Sequence, residues 1–192
     1  MTAALVLAAG ASTRLGRPKQ LVRMGGETLL DRAVRVAGEA GLEPVVVVLG
    51  ASAQGITQEC DLRRAWVVVH AGWAEGMGSS TRAGMELVQG FPEVDGAVVM
   101  TCDMPGVTAE HLRELAGDPE EVMASGYAGR RGVPAYFPRV AFSELLDLRG
   151  DAGAREMLRA ARVVELVGGE MDVDTVADVE RLQAGFGGVV LE

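Results

Sequence analysis

Residues 7–19 read LAAGASTRLGRPK, and they continue an apolar run that begins at Ala3. A strand that runs into glycine and small residues exposes successive backbone N–H groups, which bind anionic oxygens. Arg14 and Lys19 add positive charge. The two glycines are too widely spaced for a P-loop, and the G-x-G-x-x-G dinucleotide pattern is absent. The alternative is a simple turn with two solvated cations, but the combination favours a phosphate-binding loop.

Short valine-rich runs alternate with amphipathic segments farther along the chain. This alternation is typical of an α/β domain whose mainly parallel sheet is covered by helices on both faces. The predicted strands are Ala3–Ala9, Val45–Leu49, Trp66–Val69, Ala97–Thr101, Val122–Ser125, Val133–Phe137 and Val163–Val167. The predicted helices are Leu29–Ala40, Ser80–Gln89, Ala109–Ala116, Arg139–Leu146, Ala152–Ala161 and Val176–Ala184. We predict one Rossmann-like domain over residues 1–184, followed by a tail or edge strand over 185–192.

The composition limits the classes of partner. The 192 residues, 48% of them hydrophobic, suit one globular domain. A net charge of -9 without a basic run argues against nucleic acid. No apolar stretch approaches the roughly 18 residues of a membrane span, so we expect no membrane partner. The two cysteines, Cys60 and Cys102, show no C-x-x-C spacing, which suits a reducing cytoplasm.

A second segment of small residues, WAEGMGSS at 73–80, lies between a predicted strand and a predicted helix. Small side chains there would let a planar base approach the backbone. Ser79 or Ser80 would also suit the N-cap of the helix, so capping alone is the alternative explanation for either serine.

Asp103 comes at the end of an apolar strand and just before Pro105. Ligands of open α/β sheets bind at the carboxyl ends of strands, where a carboxylate can hold a hard cation over phosphates. An Asx turn is the alternative. A triphosphate bound by the first loop would need Mg²⁺, so we predict that Asp103 is a metal ligand. Beside it, Cys102 is interpreted as a buried strand residue rather than a nucleophile, because no histidine lies near it in sequence.

The segment 171–178, MDVDTVAD, contains three aspartates. Alternation in an extended segment would place Asp172 and Asp174 on the same side, where one or both could complete the metal site. We interpret Asp178 as a charge in the first turn of a helix.

These stretches resemble the motifs of the molybdopterin nucleotidyltransferases, and most closely those of the molybdenum cofactor cytidylyltransferases. Residues 7–19 match L-A-A-G-x-S-x-R-x-G-x-x-K, and residues 73–80 match W-x-x-G-M-x-S-S. Residues 129–134 and 150–155 are similar to the family's G-x-x-G-x-P and G-D-x-G-A-R. The sequence departs from D-Q-P at Met104 and from D-I-D-T-P-E-D at Val176.

The resemblance implies the nucleotide-diphospho-sugar transferase-like fold and an Mg²⁺-dependent reaction. It assigns nucleotide binding to Leu7, Ala8, Ala9, Gly10, Ser12, Arg14, Lys19, Gly78, Ser79 and Asp103. Of these, Arg14, Lys19 and Asp103 would be catalytic. The implied metal ligands are Asp103, Asp172 and Asp174. The second substrate would be met by Arg130, Gly132, Pro134 and Arg155, although solvated arginines are an equally good reading of those two stretches.

The resemblance also implies the substrates. The CTP-using subfamily has L-A-A-G, as this chain does, whereas the GTP-using subfamily has L-A-G-G, so Ala9 favours CTP. The acceptor would be a phosphorylated pterin, with transient contact to molybdoenzymes. A phosphate monoester is largely ionised at pH 7 and needs no general base. The alternatives are a related transferase that uses GTP or a sugar or alcohol phosphate, and a non-catalytic cofactor carrier or chaperone.

Overall fold

A seven-stranded sheet forms the centre of the protein in the computed structural model, which describes residues 1–150 and 154–186. In chain order the strands are β1 Thr2–Ala8, β2 Arg23–Met24, β3 Glu27–Thr28, β4 Val45–Leu49, β5 Trp66–Val69, β6 Gly96–Thr101, β7 Met123–Tyr127, β8 Arg130–Pro138 and β9 Arg162–Glu165. The helices are α1 Leu29–Glu39, α2 Ala53–Glu59, α3 Met77–Val88, α4 Ala109–Leu115, α5 Phe142–Leu146, α6 Arg155–Leu158 and α7 Val176–Phe186. Short 3₁₀ turns cover Lys19–Leu21, Trp73–Glu75 and Arg139–Ala141.

The strand order is β5-β4-β1-β6-β8-β7-β9, and β2 and β3 form a separate hairpin. Strand β1 pairs in parallel with β4 on one side and with β6 on the other. Strand β8 is antiparallel to both of its neighbours, and β9 is parallel to β7. Within the described residues, the other six strands of this sheet therefore all have their carboxyl ends at one edge, and β8 begins at that same edge.

Alternate side chains of β1 enter two different hydrophobic cores, because successive residues of a strand face opposite sides of the sheet. Val6 packs in the core that contains Leu30 of α1. Leu5 packs in the other core, together with Met85 of α3 and Phe142 of α5. Both faces of the sheet are thus covered by helices, as the continuous apolar runs predicted.

The predicted fold class is confirmed, and β4 and β5 have the predicted bounds. Sequence reasoning missed helix α2, which buries only Ile56 and so shows little helical periodicity. It also missed the β2–β3 hairpin, whose strands have two residues each and whose turn consists of Gly25 and Gly26 at positive φ.

Several predicted bounds were wrong. Strand β8 begins at Arg130 rather than Val133, because the antiparallel pairing with β7 extends to the turn. The predicted helix Arg139–Leu146 divides into a 3₁₀ turn and α5. Helix α6 covers only Arg155–Leu158 of the predicted Ala152–Ala161, and residues 152–153 lie outside the described residues.

Two further observations concern the end of the chain and the length of the helices. Helix α7 continues to Phe186, two residues beyond the predicted domain end at 184, and 187–192 lie outside the described residues. Among the helices of residues 1–150 and 154–186, none is long and apolar enough to cross a membrane.

Helix α3 packs directly on the central strands through Gly84. A Cβ atom added there would lie 2.3 Å from Leu5 Cδ1 and 2.7 Å from Val48 Cγ2. Both contacts are with strands buried in the sheet, so neither neighbour has free space into which to move. This close approach sets the position of the whole helix. It thereby places the amino end of α3 near the edge of the sheet where β8 begins, which we call the functional edge.

We expect Gly84→Ala to lower the free energy of unfolding by about 1–3 kcal/mol, because the added methyl group overpacks the interface. Gly38→Ala is the matched control. Gly38 is also helical, and a Cβ there would meet nothing within 4 Å, so alanine should stabilise the protein by about 0.5–1 kcal/mol. Urea unfolding of both variants measures these changes. A Gly84→Ala protein as stable as the wild type would show that α3 does not depend on this contact.

Candidate active site

The ends of β1 and β6 lie side by side, because Leu7 is paired with Thr101 in the parallel register. The loop that follows β1 and the turn that follows β6 therefore leave the sheet at adjacent points. The first contains the predicted phosphate-binding residues, and the second contains Asp103. The structure thus brings together the two parts of the predicted site.

The loop after β1 folds back on itself through Ser12. Its carbonyl accepts hydrogen bonds from the backbone N–H groups of Leu15 and Gly16, at 3.0 and 3.1 Å. Its hydroxyl Oγ accepts a hydrogen bond from the backbone N–H of Lys19 at 3.0 Å. Ser12 has a φ of 54°, an uncommon conformation for a residue other than glycine. The turn fixes where the Lys19 side chain leaves the backbone.

Gln20 is a site residue that sequence reasoning missed. Its side chain is fully buried, and Nε2 donates hydrogen bonds to the carbonyls of Ala8 at 2.6 Å and Gly10 at 3.2 Å. Oε1 is buried without a hydrogen-bond partner. The sequence signal that could have identified Gln20 is its position, a polar amide between Lys19 and the apolar residues Leu21 and Val22. Gln20 holds the start of the loop in place.

Lys19 lies between two carboxylates. Its Nζ donates to Asp103 Oδ2 at 2.5 Å and to Asp174 Oδ1 at 2.7 Å. The lysine side chain is 19% exposed and that of Asp103 is 11% exposed. Burial alone would lower the pKa of Lys19, but the two carboxylates outweigh burial and raise it. The lysine is therefore a permanent cation at this position.

Arg14 contacts the same cluster from outside. Its Nη2 donates to Asp174 Oδ2 at 2.7 Å, but its side chain is 71% exposed. Burial would raise the pKa of Asp174, and the hydrogen bond from Lys19 and the charges of Lys19 and Arg14 lower it. Asp174 is thus held in its ionised form by both predicted phosphate-binding cations.

The Asp172–Asp174 segment is tied to Asp103 through the backbone. The N–H of Val173 donates to the carbonyl of Asp103 at 2.9 Å, and the Val173 side chain is fully buried. Asp172 and Asp174 are each half-buried. Their charges act on Asp103 and on each other. The predicted gathering of these aspartates follows from the alternation of the extended segment.

Asp178 has a different role, as predicted. Its Oδ2 accepts hydrogen bonds from the backbone N–H and the hydroxyl of Thr175, both at 2.7 Å. Thr175 Oγ1 in turn accepts from the Asp178 N–H at 3.3 Å. This reciprocal pair caps α7. These hydrogen bonds lower the pKa of Asp178 to about 2.

The charge of Asp172 is less well compensated than that of Asp174. Burial raises its pKa to about 6, and the charges of Asp103 and Asp174 add to this shift. Arg130 and Lys19 act in the opposite direction but do not cancel it. The surroundings therefore oppose the ionisation of Asp172, although this carboxylate still ionises at neutral pH.

Asp103 offers an oxygen that suits a divalent cation. Asp103 Oδ1 is buried and has no hydrogen-bond partner, so a hard oxygen ligand is present without a bound group. In residues 1–150 and 154–186, however, no three histidine, cysteine, aspartate or glutamate side chains converge as a metal centre requires. Lys19 Nζ lies between the oxygens of Asp103 and Asp174 instead.

The predicted base-binding residues are packed more tightly than expected. Helix α3 begins at Met77 after Gly76, without a side-chain cap, so the predicted serine cap is wrong. Ser79 lies within the first turn, where Oγ is 2.8 Å from the Gly76 carbonyl and 3.0 Å from His70 Nε2. Both serines are internal because α3 starts earlier than the apolar pattern indicates.

Gly78 is buried at the same end of α3. A Cβ there would lie 2.7 Å from the Gly150 carbonyl, so the glycine permits a close contact between two backbone segments. The turn before α3, which contains Trp73, packs against Gly50 near the end of β1. A Cβ at Gly50 would lie 2.5 Å from Trp73 Cβ and 2.7 Å from the Ala9 carbonyl. Gly78 and Ser79 thus lie at the functional edge, and their contact with a nucleotide stays a prediction.

The predicted second-substrate residues differ in their burial and in what they contact. Arg130 lies with its guanidinium carbon 5.1 Å from the centre of the Tyr127 ring, close enough to Asp172 to influence its charge. Gly132 makes room for Tyr127, because a Cβ there would lie 2.2 Å from the phenol oxygen. Pro134 is buried in β8 and its carbonyl accepts from Ser125 Oγ at 2.6 Å.

Arg155, the fourth predicted second-substrate residue, is exposed at the start of α6. Of these four residues, Arg130 is the one whose charge acts on Asp172 in the described structure. The 129–134 motif forms a hairpin strand rather than a loop junction. Pairing with β7 explains this difference, because it continues to the Tyr127–Arg130 pair beside the turn.

The cysteines and histidines take no part in the cluster. Cys102 is buried, and burial raises the pKa of its thiol, which argues against a nucleophile. His111 is buried in α4, with Nε2 2.7 Å from Ser125 Oγ. Burial lowers the pKa of His111. The interpretation of Cys102 as a buried strand residue agrees with its burial, and the contact of His111 with Ser125 is a structural one.

The sequence profile described as the MobA-like NTP transferase domain matches residues 4–166. Nicotine blue oxidoreductase from Paenarthrobacter nicotinovorans is 35% identical over 200 aligned residues, covering 93% of this chain and 94% of that protein. A probable molybdenum cofactor guanylyltransferase from Opitutus terrae is 37% identical over 120 residues, covering 59% of this chain and 53% of that protein.

A solved structure has the same fold. The crystal structure of Rv0371c from Mycobacterium tuberculosis H37Rv in complex with manganese superposes with a TM-score of 0.79 and 31% sequence identity. The match covers 98% of this chain and 99% of that one. The protein therefore has the same fold as a protein that has been crystallised with a divalent metal.

We expect Asp172→Asn and Asp174→Asn to change stability in opposite directions at pH 8. The raised pKa of Asp172 means that its ionised form disfavours folding, so asparagine should increase the melting temperature. This gain should shrink as the pH falls through about 6 and vanish below about 4. The pKa of Asp174 is lowered, so its ionised form favours folding and asparagine should decrease the melting temperature.

Thermal unfolding of the two variants between pH 4 and pH 8 makes the comparison. The substitutions are chemically identical and only two residues apart. Destabilisation by Asp172→Asn at pH 8 would contradict the charge distribution described for the cluster.

Proposed function

The chain belongs to the MobA-like NTP transferase family, and from this we propose that it transfers CMP from CTP to the terminal phosphate of a molybdopterin and releases pyrophosphate. The observation that carries the proposal is the Lys19 ammonium held between Asp103 and Asp174 beside the glycine loop. Membership in this family supports nucleotidyl transfer as the reaction. The base, the acceptor and the residue roles are our inference.

The loop after β1 has the features of a triphosphate site. Gly10 is exposed, and a Cβ there would meet nothing within 4 Å, so its backbone is open to a ligand. Arg14 and Lys19 lie on the side of the loop that faces the carboxylates. Their charges suit the β- and γ-phosphates and the developing pyrophosphate. The buried side chain of Gln20 keeps the loop in place by its hydrogen bonds to the carbonyls of Ala8 and Gly10.

The divalent ion, Mg²⁺ in our proposal, would be held by Asp103 together with Asp172 or Asp174. When bound, it would neutralise charge on the phosphates and make the α-phosphorus more electrophilic. The buried and unpartnered Oδ1 of Asp103 supports this role. So does the fact that the mycobacterial relative was crystallised with manganese.

The acceptor chemistry requires little of the protein. A phosphate monoester is already largely ionised at pH 7, so one of its oxygens can attack the α-phosphorus in line. The new P–O bond forms as the bond to the bridging oxygen of pyrophosphate breaks. Arg130, stacked on Tyr127, is the described cation best placed to attract the acceptor phosphate. Arg155 remains a weaker candidate, because among the described residues Arg130, and not Arg155, has a charge that acts on Asp172.

The base preference rests on Ala9. Its side chain is buried and its carbonyl accepts a hydrogen bond from the N–H of Ala51 at 3.0 Å, so it acts by shaping the backbone. The L-A-A-G motif favours CTP. The similarity to a probable molybdenum cofactor guanylyltransferase makes GTP the direct competitor in any test.

Redox chemistry is a second candidate, because the relative that covers 93% of this chain is named nicotine blue oxidoreductase. That reaction would need an electron donor or acceptor. The loop after β1 lacks the G-x-G-x-x-G dinucleotide pattern, whereas the cations and carboxylates at the edge suit phosphate chemistry. We therefore favour nucleotide transfer.

The proposed function is tested by incubating the protein with Mg²⁺, reduced molybdopterin and each of the four ribonucleoside triphosphates. We expect pyrophosphate and a product with the mass of the cytidine dinucleotide, in greatest yield from CTP. Equal or better turnover with GTP would overturn the base assignment. Parallel incubations replace molybdopterin with a sugar or alcohol phosphate, or the triphosphate with NADH or NADPH. Turnover only with a sugar or alcohol phosphate would overturn the assignment of molybdopterin as the acceptor. Tight binding without turnover would identify a carrier, and oxidation of NADH or NADPH would support the redox candidate.

We expect Asp103→Asn to lower kcat by about a hundredfold or more, because asparagine keeps the shape but removes the negative charge that a hard cation prefers. Asp178→Asn is the matched control, since Asp178 caps α7 in the same region. It should retain kcat within about twofold. Pyrophosphate release at saturating CTP is the measurement. Normal turnover by Asp103→Asn would remove Asp103 from the metal site.

We expect Arg14→Ala and Lys19→Ala each to lower kcat/KM for CTP by about ten- to a thousandfold, because each removes charge from the phosphates. Arg17→Ala is the control for Arg14, because Arg17 is an exposed arginine of the same loop. Steady-state kinetics at pH 7.5 compare the three variants. Equal losses in Arg14→Ala and Arg17→Ala would show that the loop acts only through its total charge.

A further inference from the structure

Lys19 is the only lysine in the sequence; every other basic side chain among the 18 lysines and arginines is an arginine. A lysine ammonium is a compact point charge, whereas a guanidinium is a broad planar fork. The chain thus has its one compact cation at the point where oxygens of Asp103 and Asp174 converge.

Lys19 Nζ occupies the place that a divalent ion would need. The oxygens that it contacts, Asp103 Oδ2 and Asp174 Oδ1, belong to two of the three predicted metal ligands. Hard cations require the same oxygens. An ammonium and a divalent ion at such short range repel each other, so the two cannot both bind this carboxylate pair closely.

The lysine is held so that its side chain alone needs to move. Its backbone N–H is bound to Ser12 Oγ in the phosphate loop, and the next residue, Gln20, is fully buried. The ammonium is carried on a flexible four-carbon chain from this fixed point. The loop that anchors it is the one proposed to receive the triphosphate.

We propose that Lys19 is an internal counter-cation that occupies the metal position and yields it only when a nucleoside triphosphate draws the ammonium onto its phosphate oxygens. The inference rests on the proposed function. Metal alone binds weakly, because it must displace the partly buried ammonium of Lys19 from two carboxylates. Metal and triphosphate strengthen each other's binding, because each one stabilises the displaced position of Lys19.

Arg14 provides a matched control for this idea. It carries the same charge and contacts the same carboxylate, but through the other oxygen of Asp174 and from the solvent side. Arg14→Met and Lys19→Met thus remove one positive charge each from beside Asp174. Only the second change empties the position between Asp103 and Asp174.

The first test measures Mn²⁺ binding without nucleotide by electron paramagnetic resonance. We expect Lys19→Met to bind Mn²⁺ at least about tenfold more tightly than the wild type, and Arg14→Met to stay within about threefold of it. Unchanged affinity in Lys19→Met would overturn the inference. An equal gain in both variants would also overturn it, because general charge would then explain the effect.

The second test needs no variant, so it decides the matter even if Lys19→Met fails to fold. Wild-type protein labelled with ¹³C at lysine Cε gives one lysine signal, because the chain has one lysine. We expect low-millimolar Mg²⁺ alone to leave this signal unchanged and Mg²⁺ with CTP to shift it. A signal that moves with Mg²⁺ alone, or that stays in place when Mg²⁺ and CTP both bind, would overturn the inference.

The two tests also separate this inference from the proposed function. Independent binding of metal and CTP with an unmoved lysine signal would leave the nucleotidyltransferase proposal standing and remove the counter-cation. Failure of the protein to bind Mn²⁺ or CTP under any condition would overturn both.

Discussion

The parallel pairing of β1 with β6 is the constraint on which the arrangement of the site depends. Leu7 is held opposite Thr101, so the loop after β1 and the turn after β6 emerge side by side. Alternate residues of β1 fill two different cores, and a slip of one residue would exchange the faces. The packing that fixes the register therefore also fixes the distance between the loop after β1 and Asp103. The site inherits its geometry from the buried strands.

The carboxylates at this edge show how fold stability and function compete. Asp178 is fully used by the fold, since it caps α7 through Thr175. Burial makes the ionised form of Asp172 less favourable, and repulsion between the negative charges of Asp172 and Asp103 adds to this effect. A structure selected only for stability would not gather these groups. Their proximity is understandable if a bound cation is part of the working protein, with Lys19 substituting for it in part.

Much of the fold could be predicted, because strands buried on both faces are continuous apolar runs, as β4 is. Asp172 and Asp174 could be paired because alternation is a local property, and Val173 between them is buried. Long-range contacts could not be predicted. The sequence does not reveal that Lys19 reaches across 155 positions to Asp174, or that Gln20 supports the loop from inside. Helix α2 and the β2–β3 hairpin were too short to show a period.

The reversed direction of β8 has an architectural consequence. It brings the two-residue turn of Ala128 and Gly129, both at positive φ, to the same edge as the carboxyl ends of the parallel strands. The residues that we predict to bind the nucleotide lie between Leu7 and Asp103, whereas this turn comes from a later hairpin. Substitutions in the hairpin tip could therefore change Arg130, which we propose to meet the second substrate, without altering the loop after β1. On this proposal, related proteins could acquire new acceptors by small local changes.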